Sequence, residues 1–287
     1  PNRWARSLVT RESQIIGVII PEISHTFFSE ITAGLQETIE ERGYTLIVCN
    51  SASDPHRERR EVDMLLGSRA DGLIVASAFP ADDHKLYTQL QQQQTPFVLI
   101  DRFFPGLDSP RVRTDDRKAA ALCARHVIEL GHRRIAYLTG SDVSVSRERR
   151  AGFESALADA GLTLDPALVV EGDFDWRAGF RAMQKLLALP QPPTAVCAVN
   201  DPAAMGAIRA CREAGFDVPR DISITGVGSI EPEYMPEPFL TTTGASREEL
   251  GRAAANMLLE LIEGRKPDPL EVLIEPELLI RRSTAKP

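Results

Sequence analysis

Short runs of β-branched and aliphatic residues recur along the chain at 14–20, 45–49, 72–76, 97–100, 134–139, 167–171, 194–199 and 222–227, with helical patterns between them. That alternation is the rhythm of parallel sheets with crossover helices. Helix ends are marked too. Asp54-Pro55 and Asp201-Pro202 place a capping carboxylate before a proline at the first helical position, and Gly43, Gly131, Gly161 and Gly215 stand where left-handed C-caps are expected. Ser246-Arg247-Glu248-Glu249 is a capping box, followed by the apolar face Leu250, Ala254, Met257, Leu258 and Leu261. Beyond Gly264 and Pro267 the pattern predicts one last strand, Glu271 to Ile280.

Segments of the two halves correspond. Glu41-Arg42-Gly43-Tyr44-Thr45-Leu46 has a counterpart in Asp159-Ala160-Gly161-Leu162-Thr163-Leu164, and Ala70–Val75 has one in Pro193–Ala198. The expected fold is α/β: two similar Rossmann-like lobes with parallel sheets. The late helix and strand, absorbed by each lobe in turn, give several crossover segments and hence a hinge.

A chain of 287 residues, 43% hydrophobic and 26% charged, has ample material for two cores. Its net charge of −8 argues against the body as a nucleic-acid surface. The front is different. Pro1-Asn2-Arg3-Trp4-Ala5-Arg6-Ser7-Leu8 is basic, with Arg11 following and only Glu12 opposing. Such a segment neutralises phosphates while an apolar wedge, here Leu8, pries open a base step in the minor groove; a frayed, solvated terminus is the plain alternative. Cys49, Cys123, Cys197 and Cys211 lack a C-x-x-C spacing and read as buried, reduced thiols. No apolar run approaches the roughly 20 residues of a membrane span. His25, His56, His84, His126 and His132 show no metal spacing and read as surface residues. Phosphate-loop, nucleophile-elbow and complete dinucleotide motifs are absent, so neither a cofactor nor a catalytic constellation is expected.

In open parallel sheets a ligand sits outside the carboxyl ends of the strands. There the first lobe offers Phe27, Phe28, Asp54, Phe79 and Asp101-Arg102; the second offers Ser146, Arg149, Phe174, Trp176, Asn200 and Gly228-Ser229. Carboxylates accept hydroxyls, arginine and asparagine donate, and aromatic faces cover the C–H side of a sugar ring, so a polyhydroxylated ligand suits the set. Each residue also has a structural role open to it. Phe27 fits a helix face with Ile31 and Leu35, leaving Phe28 for ligand or core; Asp54 and Asp201 read as caps; Asp101 has Arg102 and Arg113 as ion-pair partners. Arg149 falls in the first helical turn, against the macrodipole, with Glu148 a candidate neutraliser. Trp176 has lobe packing as its alternative.

Together these residues resemble the LacI/GalR family of transcriptional regulators. The likeness is carried by Pro1-Asn2-Arg3 through Ser7-Leu8, Ile16–Pro21, Phe27-Phe28, Asp71-Gly72-Leu73-Ile74, Asp101-Arg102, Leu130–Ile135, Arg149-Arg150-Ala151-Gly152-Phe153, Asn200-Asp201 with Ala204-Met205-Gly206, and Arg281-Arg282-Ser283. It implies a periplasmic-binding-protein-like core, a helix-turn-helix domain upstream, and a cytoplasmic homodimer on a pseudo-palindromic operator. The implied organisation is a hinge segment at 1–12, a first subdomain of 13–114 with 243–270, and a second of 115–242 with 271–287. Asn2, Arg3, Arg6 and Leu8 take the DNA-hinge positions, while Phe28, Asp101, Arg149, Phe174 and Asn200 match effector contacts and Trp176 lies beside them. The implied function is an effector-responsive repressor whose sugar-sensing core controls operator binding. An extracytoplasmic sugar-binding protein of a transporter is the alternative. One departure stands out. The family usually carries Gly-x-Asp-Asp or Gly-x-Asp-Asn after the strand, where this chain has Gly226-Val227-Gly228-Ser229. The lost carboxylate leaves room for a larger ligand, or for Glu231 or Glu233 to substitute.

Overall fold

The computed structural model describes residues 13–230 and 238–287. Asn2, Arg3, Arg6, Leu8, Glu231 and Glu233 lie outside the described residues. The described chain forms two compact units, one of 13–114 with 246–274 and one of 115–245 with 275–287.

The first unit holds strands β1 (Ile15–Ile20), β2 (Thr45–Asn50), β3 (Gly72–Val75), β4 (Phe97–Ile100), β5 (Arg111–Thr114) and β11 (Glu271–Ile274), and helices α1 (Thr26–Glu41), α2 (Pro55–Gly67), α3 (Lys85–Gln92) and α8 (Arg247–Ile262). Its parallel sheet runs β11-β5-β4-β3-β1-β2. The second unit holds β6 (Ile135–Leu138), β7 (Val169–Val170), β8 (Ala195–Ala198) and β9 (Ser223–Thr225), with α4 (Asp116–Glu129), α5 (Ser144–Asp159), α6 (Trp176–Leu187) and α7 (Asp201–Glu213). Its parallel sheet runs β7-β6-β8-β9, and β10 (Thr242–Gly244) pairs antiparallel with β12 (Glu277–Leu279). Both sheets place their second strand outside their first and their third on the other side. The order therefore reverses between β1 and β3, and again between β6 and β8, which is where such sheets bind ligands.

The run expected as one strand from Glu271 to Ile280 is two. β11 adds to β5, because Arg111 Nε (3.0 Å) and Arg113 Nε (2.6 Å) both reach Glu271 Oε1 across the ladder. Past Pro276 the chain re-enters the second unit as β12. Residues 243–245 and 271–274 accordingly belong to the opposite units from those expected. The strand 111–114 was not anticipated at all.

Helix ends follow the local chemistry. Asp54 accepts from His56 N (2.9 Å) and Ser246 Oγ from Glu249 N (3.2 Å). At α7 the cap is Asn200 and not Asp201: Asn200 Oδ1 accepts from Ala203 N (2.9 Å), whereas Asp201 is buried and accepts from Thr242 Oγ1 (2.6 Å) and Ile230 N (2.8 Å). Helices pack in pairs through glycine. A methyl on Gly152 would overlap the Arg117 carbonyl of α4, and one on Gly206 the Trp176 carbonyl of α6, so these backbones approach as closely as they can. Of the cysteines, Cys123, Cys197 and Cys211 are buried thiols and Cys49 is half-buried.

Two histidines expected on the surface are inside. His132 Nε2 lies 2.9 Å from the Ala285 carbonyl while Nδ1 faces Thr194 Oγ1 (2.9 Å), and His126 Nε2 meets Thr284 Oγ1 (2.9 Å). Both pin the returning C-terminal segment to the second unit. Burial holds both imidazoles below the ordinary histidine pKa.

Candidate effector site

In the first unit, the carboxyl end of β1 leads into α1, whose buried face is Phe28, Ile31, Leu35 and Ile39. The expected phase was wrong by one residue. Phe28, only 6% exposed, is the core-side ring and Phe27 is half-buried, the two meeting edge to face at 5.1 Å. After β4, Asp101 is buried in the left-handed region (φ 64°), and its N–H donates to the Val112 carbonyl (2.9 Å). Aspartate tolerates that conformation better than most residues. Its neighbour is Arg102, with Nε 3.9 Å from Asp101 Oδ2 and Nη1 donating to the Ser77 carbonyl (2.7 Å); Arg113 is taken by Glu271.

The loop after β3 rests on a residue not anticipated as part of the site. Glu58, fully buried on α2, accepts from Ser77 Oγ (2.7 Å), from the Ala78 N–H and from the Tyr87 hydroxyl. Desolvation pushes its carboxyl above the usual carboxylate range, opposed by those three donors and by Arg102. The signal was available: Glu58, Val62 and Leu65 share the buried face of α2, a charge in phase with a core stripe.

In the second unit, three predicted residues come together at the carboxyl end of β8. Arg149 Nη1 donates to the Val199 carbonyl (2.8 Å), and Asn200 Nδ2 donates to the Phe174 carbonyl (2.8 Å). Arg149 stands in the second turn of α5, beyond the strongest part of the helix field, and its charge is met by Asp116 (Nε to Oδ1, 2.7 Å) instead of Glu148. Trp176 is 39% exposed, with the guanidinium carbons of Arg177 and Arg209 4.9 and 5.2 Å from its ring. That cation–aromatic stack takes up the indole at the start of α6. Gly228 has φ 131°, with the Asp201 carboxylate beside it.

Among the described residues no histidine, cysteine or carboxylate cluster fits a metal ion, and no helix is long and apolar enough to cross a membrane. Parallel α/β units with polar and aromatic groups gathered at their switch points define a small-molecule binding protein. The comparisons narrow this. The profile described as periplasmic binding proteins and sugar binding domain of LacI family matches residues 13–282, and the chain belongs to that family. It is 35% identical over 286 residues to the HTH-type transcriptional repressor CytR of Escherichia coli K12, covering 99% of this chain and 83% of that protein. It is 34% identical over 288 residues to the repressor PurR of Haemophilus influenzae PittEE, covering 99% and 85%. Among solved structures, the complex of the transcriptional regulator CelR with cellobiose superposes with a TM-score of 0.85 at 27% identity, covering 97% of this chain and 89% of that one. The chain is the effector-sensing core of a LacI-family transcriptional regulator, and the transporter alternative falls away.

Proposed function

We propose that this core recognises a sugar-like effector through Arg149, Phe174 and Asn200 at the switch point of the second unit; in the first unit, Phe28 and Asp101 are the candidates at the strand ends. It acts as a homodimer in the cytoplasm, without a cofactor and without catalysis. Its effector changes the grip on operator DNA, which residues 1–12 share with a helix-turn-helix domain. Asn2, Arg3, Arg6 and Leu8 carry the DNA contact of that segment, the arginines on phosphates and Leu8 in a base step. Trp176 is left out of the effector set because the guanidinium carbons of Arg177 and Arg209 already lie 4.9 and 5.2 Å from its ring.

The observation that carries this reading is the convergence of Arg149, Asn200 and Phe174 at the β6–β8 switch point, with Arg149 and Asn200 buried and held by hydrogen bonds. Side chains already fixed in place by such bonds lose little further freedom when a ligand docks beside them. Thermal-shift screening of the dimer against sugars, followed by operator binding with and without the hit, tests it. A sugar should raise the melting temperature and change operator affinity, and Asn200→Ala should abolish both responses. A monomer in sedimentation, or a hit with no effect on DNA binding, overturns the reading.

A further inference from the structure

In the first unit, the residues just ahead of β1 are held by a carboxylate from far along the chain. Asp71 accepts from the Ser13 N–H with both oxygens (3.0 and 3.1 Å) and from the Gln14 N–H with Oδ2 (2.7 Å). Two backbone N–H groups on one carboxylate form charge-assisted bonds, stronger than neutral ones. In return the Asp71 N–H donates to the Ile15 carbonyl (2.8 Å), so the two segments are tied in both directions.

The anchor has little room to drift. Asp71 immediately precedes β3, a fully buried strand paired with β1 on one side and β4 on the other. Its neighbour Gly72 packs so closely on α8 that a methyl there would come within 2.8 Å of Leu258 Cδ1. On the other side of the joint, the Gln14 carbonyl accepts from the Thr45 N–H (2.7 Å) and Ser13 Oγ from the Ile15 N–H (3.1 Å). Gln14 is left-handed (φ 58°), a conformation that costs a glutamine energy and persists where its surroundings impose it. The first residue of β1 to pair with β2 is Ile15. The carboxylate therefore fixes the chain ahead of the first paired residue of its strand.

Residues 1–12 join the core at this joint. The Ser13 N–H belongs to the planar peptide that links residues 12 and 13, so the carboxylate holds the bond from which that segment starts. An apolar wedge reads sequence only when it is delivered to a particular base step, whereas arginines meet phosphates at any position along the duplex. We propose that Asp71 is a positioning residue for DNA recognition: by clamping residues 13 and 14 it fixes the start of the DNA-contacting segment and favours specific over non-specific binding. The proposal rests on the reading that residues 1–12 touch DNA. It also carries a sign that charge alone would reverse. A carboxylate near phosphates opposes binding, so on electrostatic grounds its removal should tighten every complex.

The test uses the full-length protein, helix-turn-helix domain included, as wild type, Asp71→Asn and Asp71→Ala. Two labelled duplexes serve as probes, one selected by the wild type from a random-sequence pool and one of scrambled sequence, with Kd read by fluorescence anisotropy. Asp71→Asn keeps the size but replaces one accepting oxygen by a donor, and should weaken the selected duplex by about three- to tenfold. Asp71→Ala should weaken it by about tenfold or more, as both N–H groups lose their acceptor. The scrambled duplex should bind as to wild type or more tightly, so the specificity ratio falls. Amide exchange at Ser13 and Gln14 should quicken in both variants. An unchanged melting temperature marks a variant as folded, and Asp71→Asn decides the matter if Asp71→Ala does not fold. Equal losses on the two duplexes, or a selected-duplex Kd that Asp71→Asn leaves unchanged or tightens, overturn the clamp and leave the DNA reading standing. A wild type that selects no duplex overturns the DNA reading and the clamp with it.

Discussion

Arg149 and Asp116 form an ion pair inside the second unit, Nε to Oδ1 at 2.7 Å, both side chains buried, while Arg149 Nη1 holds the Val199 carbonyl at 2.8 Å. One guanidinium thus ties the start of α4 to the end of β8, next to Asn200. A planar fork can do this; a single ammonium cannot reach both partners with the same geometry.

Arg149→Ala therefore takes the guanidinium away from a buried carboxylate, and the expected loss of stability is about 3–5 kcal/mol. Arg149→Lys keeps the charge and should cost less, about 1–2 kcal/mol, while still weakening effector binding because the Val199 contact is lost. Urea unfolding of the three proteins checks the order. Equal stability of Arg149→Ala and wild type would remove the buried pair from the account.

Tyr87 and Glu58 offer a second test, in the first unit. Tyr87→Phe removes one of the three donors to the buried carboxyl, at an expected cost of about 1.5–3 kcal/mol. The loss should depend on pH in a definite sense. The folded-state pKa of Glu58 is raised, so the folded protein holds its proton to higher pH than the unfolded chain. Its contribution is full below the ordinary carboxylate pKa and is lost as pH rises through the folded value. Losing a donor raises that value further, so the variant should be hurt more near pH ~7.5 than near pH ~5. Urea midpoints at the two values decide it; a loss that is larger in acid contradicts the assignment.

These two clusters also show where the sequence was readable. The β-branched runs gave most sheet strands because such runs have few other uses, and the caps at Asp54 and Ser246 were legible because their partners are two or three residues away. The strand 111–114 was missed because its arginines look solvent-facing until Glu271, some 160 residues on, supplies their partner. Arg149 was assigned to Glu148 for the same reason: Asp116 is 33 residues distant and on another helix. Phe27 and Phe28 were exchanged because a helix face is ambiguous by one position at its first turn, where few periodic neighbours fix the phase. What a pattern of residues cannot announce is a partner brought in by tertiary packing.

His126 and His132 predict an acid-sensitive C-terminal segment. Both are held neutral by burial, with folded-state pKa values below the unfolded value of about 6.5. The unfolded chain then binds protons that the folded one refuses, so stability should fall as pH drops below about 6.5. His132→Gln should flatten that dependence while keeping a donor to the Ala285 carbonyl. Denaturation between about pH 7.5 and about pH 5 measures it, and a slope identical to wild type would clear His132 of the effect.

Gly228 stands where the family usually carries an aspartate, which invites the substitution Gly228→Asp as a restoration. The backbone argues otherwise. At φ 131° an L residue is strained by about 1–3 kcal/mol, and the Asp201 carboxylate, held by Thr242 and by the Ile230 N–H, lies about 4 Å from where the new Cβ would sit. A second carboxylate there meets both strain and like-charge repulsion, and relaxing the backbone would break the Gly228 N–H bond to the Thr243 carbonyl (2.7 Å). Gly228→Asp should thus lower the melting temperature by several degrees without binding glucose, galactose or ribose more tightly than wild type does. If the variant is instead as stable as wild type and binds a monosaccharide more tightly, the backbone at this turn is adaptable, and the absence of the aspartate, not the geometry around it, sets which ligand the core accepts.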